Sequence, residues 1–406
     1  MDTASVKRRW VYLLTGSAGY FFVGILFSWS IIKVPLRETI GAGTQMLASV
    51  YTLSVCFFCI GNLLTGVFLK KLGVKRMLFI ASALIMAGLV CCSFLKPESG
   101  WLLYPFYGVM TGCGIGLSYN SILSTVSAWF PDKKGTCSGV LMMCFGLSSI
   151  MWGKLASLLF DMEGVGWRAA YVFFGVSIAA VLMVCAFILH APGKSVSLPE
   201  KAKSKIAAED VPARDFSGRE VLRSPSFWLY YIYGIGAAAV GSTVLSFAMD
   251  VCVSLGAAAA TAVSMVGIAS VGNGLGRVLC GLSFDLLGRK RTIFIANCFT
   301  LLAPLLMLAA FGTDSLLLAA LSLLFSGLSF GTCPTIGSVL MSSFYGMKYF
   351  PVNYSLSNSK MIFSSLGATA AGALLTRTGT YTAPYIMLTS LAAISFLLSF
   401  FIKKPK

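Results

Sequence analysis

Two cations in this chain stand where charge is expensive. Arg277 lies in GNGLGRVLCGLSFDLLGRKR (272–291), among Gly, Leu, Val and Cys, and Lys360 closes NYSLSNSK (353–360). A guanidinium can grip a carboxylate with two parallel N–H bonds, and an ammonium can neutralise a second oxygen or a second carboxylate. The pair therefore points to capture of an organic anion. Other chemistries find less support. Cys56 and Cys59 form a CxxC inside an apolar stretch with no second pair, whereas a zinc site takes about four ligands. The single histidine, His190, ends an apolar run. No nucleophile has a base beside it, so no enzyme activity is expected, and no metal or cofactor either. Gly272, Gly274 and Gly276 imitate a nucleotide loop, but that loop needs a strand before it and a helix opening at it. Here the glycines fall inside an apolar span, where small residues let helices approach.

The elements that must carry these side chains are membrane helices. The chain has 406 residues, of which 57% are hydrophobic and 11% charged, against about 25% charged in soluble domains. Mean hydropathy is +0.85. Apolar runs of about 20 residues recur, long enough to cross roughly 30 Å of hydrocarbon. The expected fold is an all-α polytopic membrane protein. Twelve spans are placed near 10–32, 47–69, 75–95, 101–125, 136–159, 167–190, 225–249, 260–284, 292–311, 315–342, 351–375 and 381–402. The opening VKRRW and its apolar run have the basic start of a signal peptide. The run is span-length and shows no small-residue cleavage site, so it is read as the first span.

The charges orient the spans. Lys7 to Arg9, Lys70 to Arg76, Lys133 and Lys134, the cluster in 194–223, Arg289 to Arg291, Lys348 and the terminal lysines fall on one side. Lys33, Arg37, Lys96, Lys154, Arg168 and Arg377 fall on the other. The richer side is expected to be cytoplasmic, with both termini there, in the inner (plasma) membrane. The net charge of +17 is thus mainly a topology signal, and nucleic acid is not an expected partner. Only Arg277 and Lys360 are left over, each about 12–13 Å from its cytoplasmic helix end. Such depth costs several kcal/mol unless the charge lines a cavity or is paired. The fourteen acidic residues all fall in loops, tails or helix ends by this topology, so an anion site is preferred to an internal ion pair. The same lack argues against proton carriers built on a buried Asp, Glu or His, and against cation export.

The chain also repeats itself. At an offset of 215, GVFLKKLGVKR (66–76) matches GLSFDLLGRKR (281–291), Gly116 matches Gly331, and Trp129-Phe130 matches Phe344-Tyr345. An offset kept at three places indicates duplication. Two parallel six-helix bundles follow, 1–190 and 225–406, joined by a polar cytoplasmic linker at 191–224.

The basic hairpins after the second and eighth spans resemble the signature of the major facilitator superfamily; the second copy keeps its Asp as Asp285, and the first has Lys70 there. GWRAAY (166–171) is similar to another element of that superfamily. WFPDKKGTCSG (129–139) and NGLGRVLCGLSFDLLGRK (273–290) resemble the oxalate/formate antiporter family. That resemblance implies substrate contacts from an arginine in the eighth helix, matched by Arg277, and a lysine in the eleventh, matched by Lys360. The stretch before Lys360 is one residue shorter than the family's, equal to 100° on a helix. The resemblance adds Tyr119 as a cavity tyrosine, Phe27 where the family has a tyrosine, and Phe330 on the tenth helix. Ser326 and Ser357 fall near family tryptophans. Asn120 and Asn358 could add polar contacts, and the serines, Phe27 and Asn358 suit a wider or more polar site than a tight aromatic cage for oxalate.

The expectation is a monomeric secondary carrier of small carboxylates, such as oxalate or formate, in the lipid bilayer. Its two cations would be costly to occlude without an anion, which favours exchange over net flux. Two alternatives remain: a proton-coupled monocarboxylate symporter, with Lys360 as titrating group, and a transporter-like anion sensor acting through 191–224.

Overall fold

A computed structural model describes residues 3–162, 166–193 and 214–405. Among them the regular structure is helical, and we number the crossings α1 to α12. α1 is Thr3–Val23, continued by a tight 3-10 turn at Gly24–Ser28; Thr44–Ser93 holds α2 and α3. α4 is Tyr104–Thr111 plus Gly112–Ser127, α5 Lys134–Asp161 and α6 Gly166–Ile188. α7 is Pro225–Ser246, α8 Ala259–Leu287, α9 Arg289–Thr313 and α10 Leu316–Tyr345. α11 comes in three pieces, Phe350–Asn358, Lys360–Ser364 and Leu366–Thr378, and α12 is Thr382–Phe400.

Nine helices among the described residues are individually long and apolar enough to cross a membrane. Four of the twelve expected spans depart from a separate, unbroken helix. α2 and α3 run on as one helix whose only non-helical residue is Gly73. α4 begins as a π-helix with Pro105 in its first turn, a position that tolerates proline because its N–H would be unpaired there anyway. α11 is interrupted at Ser359 and Ser365. Both serines bond back to the preceding turn, Ser359 Oγ to the Leu356 carbonyl at 2.8 Å and Ser365 Oγ to that of Ile362 at 2.7 Å, a habit that bends helices. Of the linker, residues 194–213 lie outside the described residues.

The duplication is written into the backbone. Gly73 has φ 76 and ψ 162, and Gly288, 215 residues on, has φ 78 and ψ 173. That region is essentially closed to residues with a Cβ. A Cβ on Gly116 would press on the Phe58 carbonyl and lie 3.0 Å from the Asn62 amide; on Gly331 it would press on the Asn273 carbonyl and lie 3.1 Å from the Arg277 amide. Each contact follows from the other by adding 215. The α2/α4 and α8/α10 pairs are therefore one packing solution used twice.

By proximity the chain forms two compact units. The first contains the helices of the first half, except the start of α5, and adds Phe350–Ser355. Its core is aromatic with tethered polar tips: the Trp152 indole donates to the Phe22 carbonyl and the Tyr171 hydroxyl to that of Ile32, both at 2.8 Å. The second contains Lys133–Met143 and the helices of the second half, from Leu356 in α11 onward. Its core is smoother, built on Val240, Val244, Met307, Leu323, Tyr385 and Leu388.

Candidate functional site

Both singled-out cations are buried within the second unit, each 4% exposed. Arg277 stands on α8. Its Nε donates to Asn273 Oδ1, one turn earlier, at 3.3 Å, and its Nη1 donates to the Met142 carbonyl. Its own carbonyl accepts from Thr335 Oγ1 of α10 at 3.4 Å. The three glycines that imitated a nucleotide loop lie inside α8. Gly276 brings α8 against the backbone of Leu328 on α10, which is the helix-packing role.

Lys360 opens the middle piece of α11. Its Nζ donates to the Tyr230 hydroxyl on α7 at 2.7 Å and lies 3.4 Å from Ser357 Oγ, and the Tyr230 ring centroid is 4.8 Å from it. Two glycines clear the slot. A Cβ on Gly234 would stand 2.7 Å from Lys360 Cδ, and one on Gly337 would stand 2.8 Å from the Tyr230 hydroxyl and 3.4 Å from Lys360 Nζ. The shorter spacing before Lys360 does not turn it outward. The chain re-sets at Ser359, where Ile362 N bonds to the Ser359 carbonyl three residues back, at 3.1 Å.

One stretch of α10 serves both cations. Thr335 bonds the Arg277 backbone, and Gly337 faces Lys360. The two residues, 83 positions apart in sequence, thus both pack on residues 335–337. Asn358, 4% exposed, keeps a buried Nδ2 with no hydrogen-bond partner among the described residues. Leaving such a donor unmade costs about 1–3 kcal/mol, and a bound acceptor would recover it. Phe330, half-buried on α10, sits over Gly241 of α7. Ser326 bonds the Gly241 carbonyl at 3.3 Å, and Ser357 joins the Lys360–Tyr230 group.

Tyr119 and Phe27 belong to the first unit. Tyr119 is 5% exposed, and its hydroxyl lies 3.1 Å from that of Tyr354. Phe145 joins it to Phe27, with ring centroids 5.0 Å from Tyr119 and 5.2 Å from Phe27. Tyr20 and Phe58 complete this aromatic cluster. Asn120 holds helices together: its Nδ2 donates to the carbonyls of Asn62 and Pro351 and to Ser355 Oγ.

Acidic side chains concentrate at helix ends. Asp132 pairs with Arg9 at 2.7 Å, and Asp285 accepts from the amides of Gly135 and Thr136. Outside the membrane helices, Glu220 is drawn down to about 2, first by the Ser217 amide, then by the Ser217 hydroxyl and Arg214.

Sequence reasoning missed Tyr230, Gly234 and Gly337 beside Lys360, Met142 beside Arg277, and Phe145. Tyr230 is one of three tyrosines in WLYYIYG, and nothing in that run selects it. Phe145 lies 215 positions before Lys360, and no motif marks it.

The family model of the Major Facilitator Superfamily matches residues 13–359. The chain is 27% identical over 377 residues to the oxalate:formate antiporter of Oxalobacter formigenes, covering 91% of this chain and 87% of that one. It is 25% identical over 357 residues to YhjX, an uncharacterized MFS-type transporter of Escherichia coli (strain K12), covering 86% and 84%. A local match to monocarboxylate transporter 6 of Mus musculus is 27% identical over 156 residues, 38% of this chain and 32% of the relative. Among solved structures, the proton:xylose symporter XylE superposes with a TM-score of 0.74 at 15% identity, covering 100% of this chain and 98% of that one. Family model, full-length relatives and fold agree: the chain belongs to the Major Facilitator Superfamily and is a multi-pass membrane transporter of small molecules.

Proposed function

We propose that the protein carries small organic anions, mono- or dicarboxylates such as oxalate and formate, by exchange. The observation that carries this reading is the pair of buried cations, Arg277 and Lys360, held around one stretch of α10 by neutral partners such as Asn273, Tyr230 and Ser357. The hydrogen bonds from Lys360 to Tyr230 and Ser357 hold its charge in place without cancelling it. A carboxylate would take a forked bond from Arg277, while Lys360 would neutralise a second oxygen. The unmatched amide of Asn358 could meet a further acceptor. The similarity to an oxalate:formate antiporter supports the same substrate class. Exchange follows from desolvation. Occluding two cations without an anion costs several kcal/mol, and a bound anion offsets that cost. The loaded carrier therefore crosses between its two access states faster than the unloaded one.

The test is anion binding by the purified protein. Arg277→Gln should lower oxalate affinity by about 30-fold or more, as removal of one partner of a buried charge pair does. Arg277→Lys should recover only part of it, because an ammonium lacks the fork. Wild-type affinity in Arg277→Gln would remove the residue from the site. A proton-coupled monocarboxylate symporter is the second reading, favoured by the local likeness to monocarboxylate transporter 6. Proton uptake in step with substrate would establish it. We also place both termini at the cytoplasmic face of the inner membrane, from the bias of lysine and arginine. A fluorescent-protein fusion at residue 406 that stays dark would reverse this. The carrier is proposed to act as a monomer, which the mass of the detergent-solubilised particle checks.

A further inference from the structure

The second unit has a pocket of about 750 Å³ where α9 begins and α12 ends. Five cations line it: Arg289, Lys290, Arg291, Lys403 and Lys404. No acidic side chain is among its lining residues. The first-turn amides of α9 open at the same place, and helix N-terminal N–H groups favour phosphate. The volume falls in the roughly 300–1,000 Å³ range of small-ligand clefts. Arg289 gives the pocket a fixed wall. Its guanidinium donates to the Ile402 carbonyl at 3.4 Å and stacks 4.7 Å over Phe344, tying the end of α12 to the start of α9.

The rest of the wall is apolar and faces outward. Phe294 is 49% exposed and Phe400 62%. One turn further along α12, Leu397 is 63% exposed. In a membrane-spanning chain these side chains meet lipid tails. A cationic mouth at the helix ends thus opens onto an apolar track down the helices. A free phosphate or a nucleotide would use the mouth and leave the track unused, whereas a phospholipid uses both. We propose that this corner is a binding site for an anionic phospholipid, the phosphate held by Lys290, Arg291 and Lys403 and the acyl chains laid along Phe294 and Phe400. Basic pockets between helix ends suit anionic headgroups. The site is separate from Arg277 and Lys360, and it stands or falls without the transport reading.

The test uses the full-length protein in neutral detergent, with retention of dioleoylphosphatidylglycerol or dioleoylphosphatidylcholine read by native mass spectrometry. Wild type should retain phosphatidylglycerol over phosphatidylcholine. Lys290→Gln/Arg291→Gln/Lys403→Gln should lose about a hundredfold in affinity, at roughly fivefold per cation removed. A control triple at the matching corner of the first unit, Lys71→Gln/Lys75→Gln/Arg76→Gln, should lose less than about twofold, and Arg277→Gln should change nothing. Should the first triple fail to fold, Lys403→Gln alone, beyond the end of α12, should show the fivefold loss. Equal retention of the two lipids overturns the proposal. So does an equal loss in both triples, which would mean diffuse surface charge. So does displacement of the lipid by inorganic phosphate, which would mean a free-anion site.

Discussion

A methyl group at position 234 separates positioning of Lys360 from mere burial. In Gly234→Ala the new carbon stands 2.7 Å from Lys360 Cδ and 2.9 Å from Cε, well inside van der Waals contact. Overpacking of a tight site costs about 1–3 kcal/mol, and Ala in place of Gly within a helix returns about 1 kcal/mol. The obstructing atoms belong to a flexible side chain, so Lys360 can swing aside and the fold should change by no more than about 1 kcal/mol. Swinging aside breaks the 2.7 Å bond to Tyr230. A hydrogen bond to a charged group is worth about 1.5–3 kcal/mol, or roughly 10–150-fold in an equilibrium constant. Anion affinity should therefore drop within that range while the melting temperature barely moves. Gly331→Ala is the contrast. Its methyl would press on the Asn273 carbonyl, which is backbone and cannot swing, so stability should fall instead. Calorimetric titration with oxalate and thermal unfolding measure the two effects. If Gly234→Ala destabilises as much as Gly331→Ala yet binds oxalate as wild type does, the slot is packing alone and the reasoning fails.

Two further outcomes follow from the geometry. Gly288→Ala puts a Cβ into a backbone region costing about 1–3 kcal/mol, and Gly73→Ala should cost a similar amount because its φ and ψ are nearly the same; a loss at one position only, in thermal unfolding, would break the equivalence of the two hairpins. Glu220 is held down to about 2, chiefly by the Ser217 amide. A depressed carboxyl contributes order that is full above its ordinary value near 4.5 and fades as pH falls through about 2. Ser217→Ala keeps the amide and removes the hydroxyl, so the carboxyl titration, followed by NMR, should move part of the way up; no movement would deny the hydroxyl its role.

How much was legible in the sequence depended on whether a signal was rare. Charge inside apolar spans is rare, so subtracting loop cations isolated Arg277 and Lys360, and the structure buries both. An offset of 215 kept at several places is also rare, and it reappears as matched dihedrals at Gly73 and Gly288. Aromatic residues are common in such chains, so Tyr230 had no mark distinguishing it from Tyr231 or Tyr233. Its role arises because Gly234 and Gly337 leave room for it beside Lys360, a three-helix coincidence that no local pattern encodes. Helix breaks were equally hidden. Ser359 and Ser365 look like ordinary small polar residues until their hydroxyls bond to the preceding turn.

The central claim is obligatory exchange, and counterflow tests it most directly. Proteoliposomes loaded with labelled oxalate are diluted into buffer containing formate or oxalate, or into buffer free of transportable anion. The account predicts rapid loss of label with anion outside, and loss at least about tenfold slower without it, because occluding the unloaded cations costs more than about 1.4 kcal/mol. Equally fast loss into anion-free buffer would contradict it.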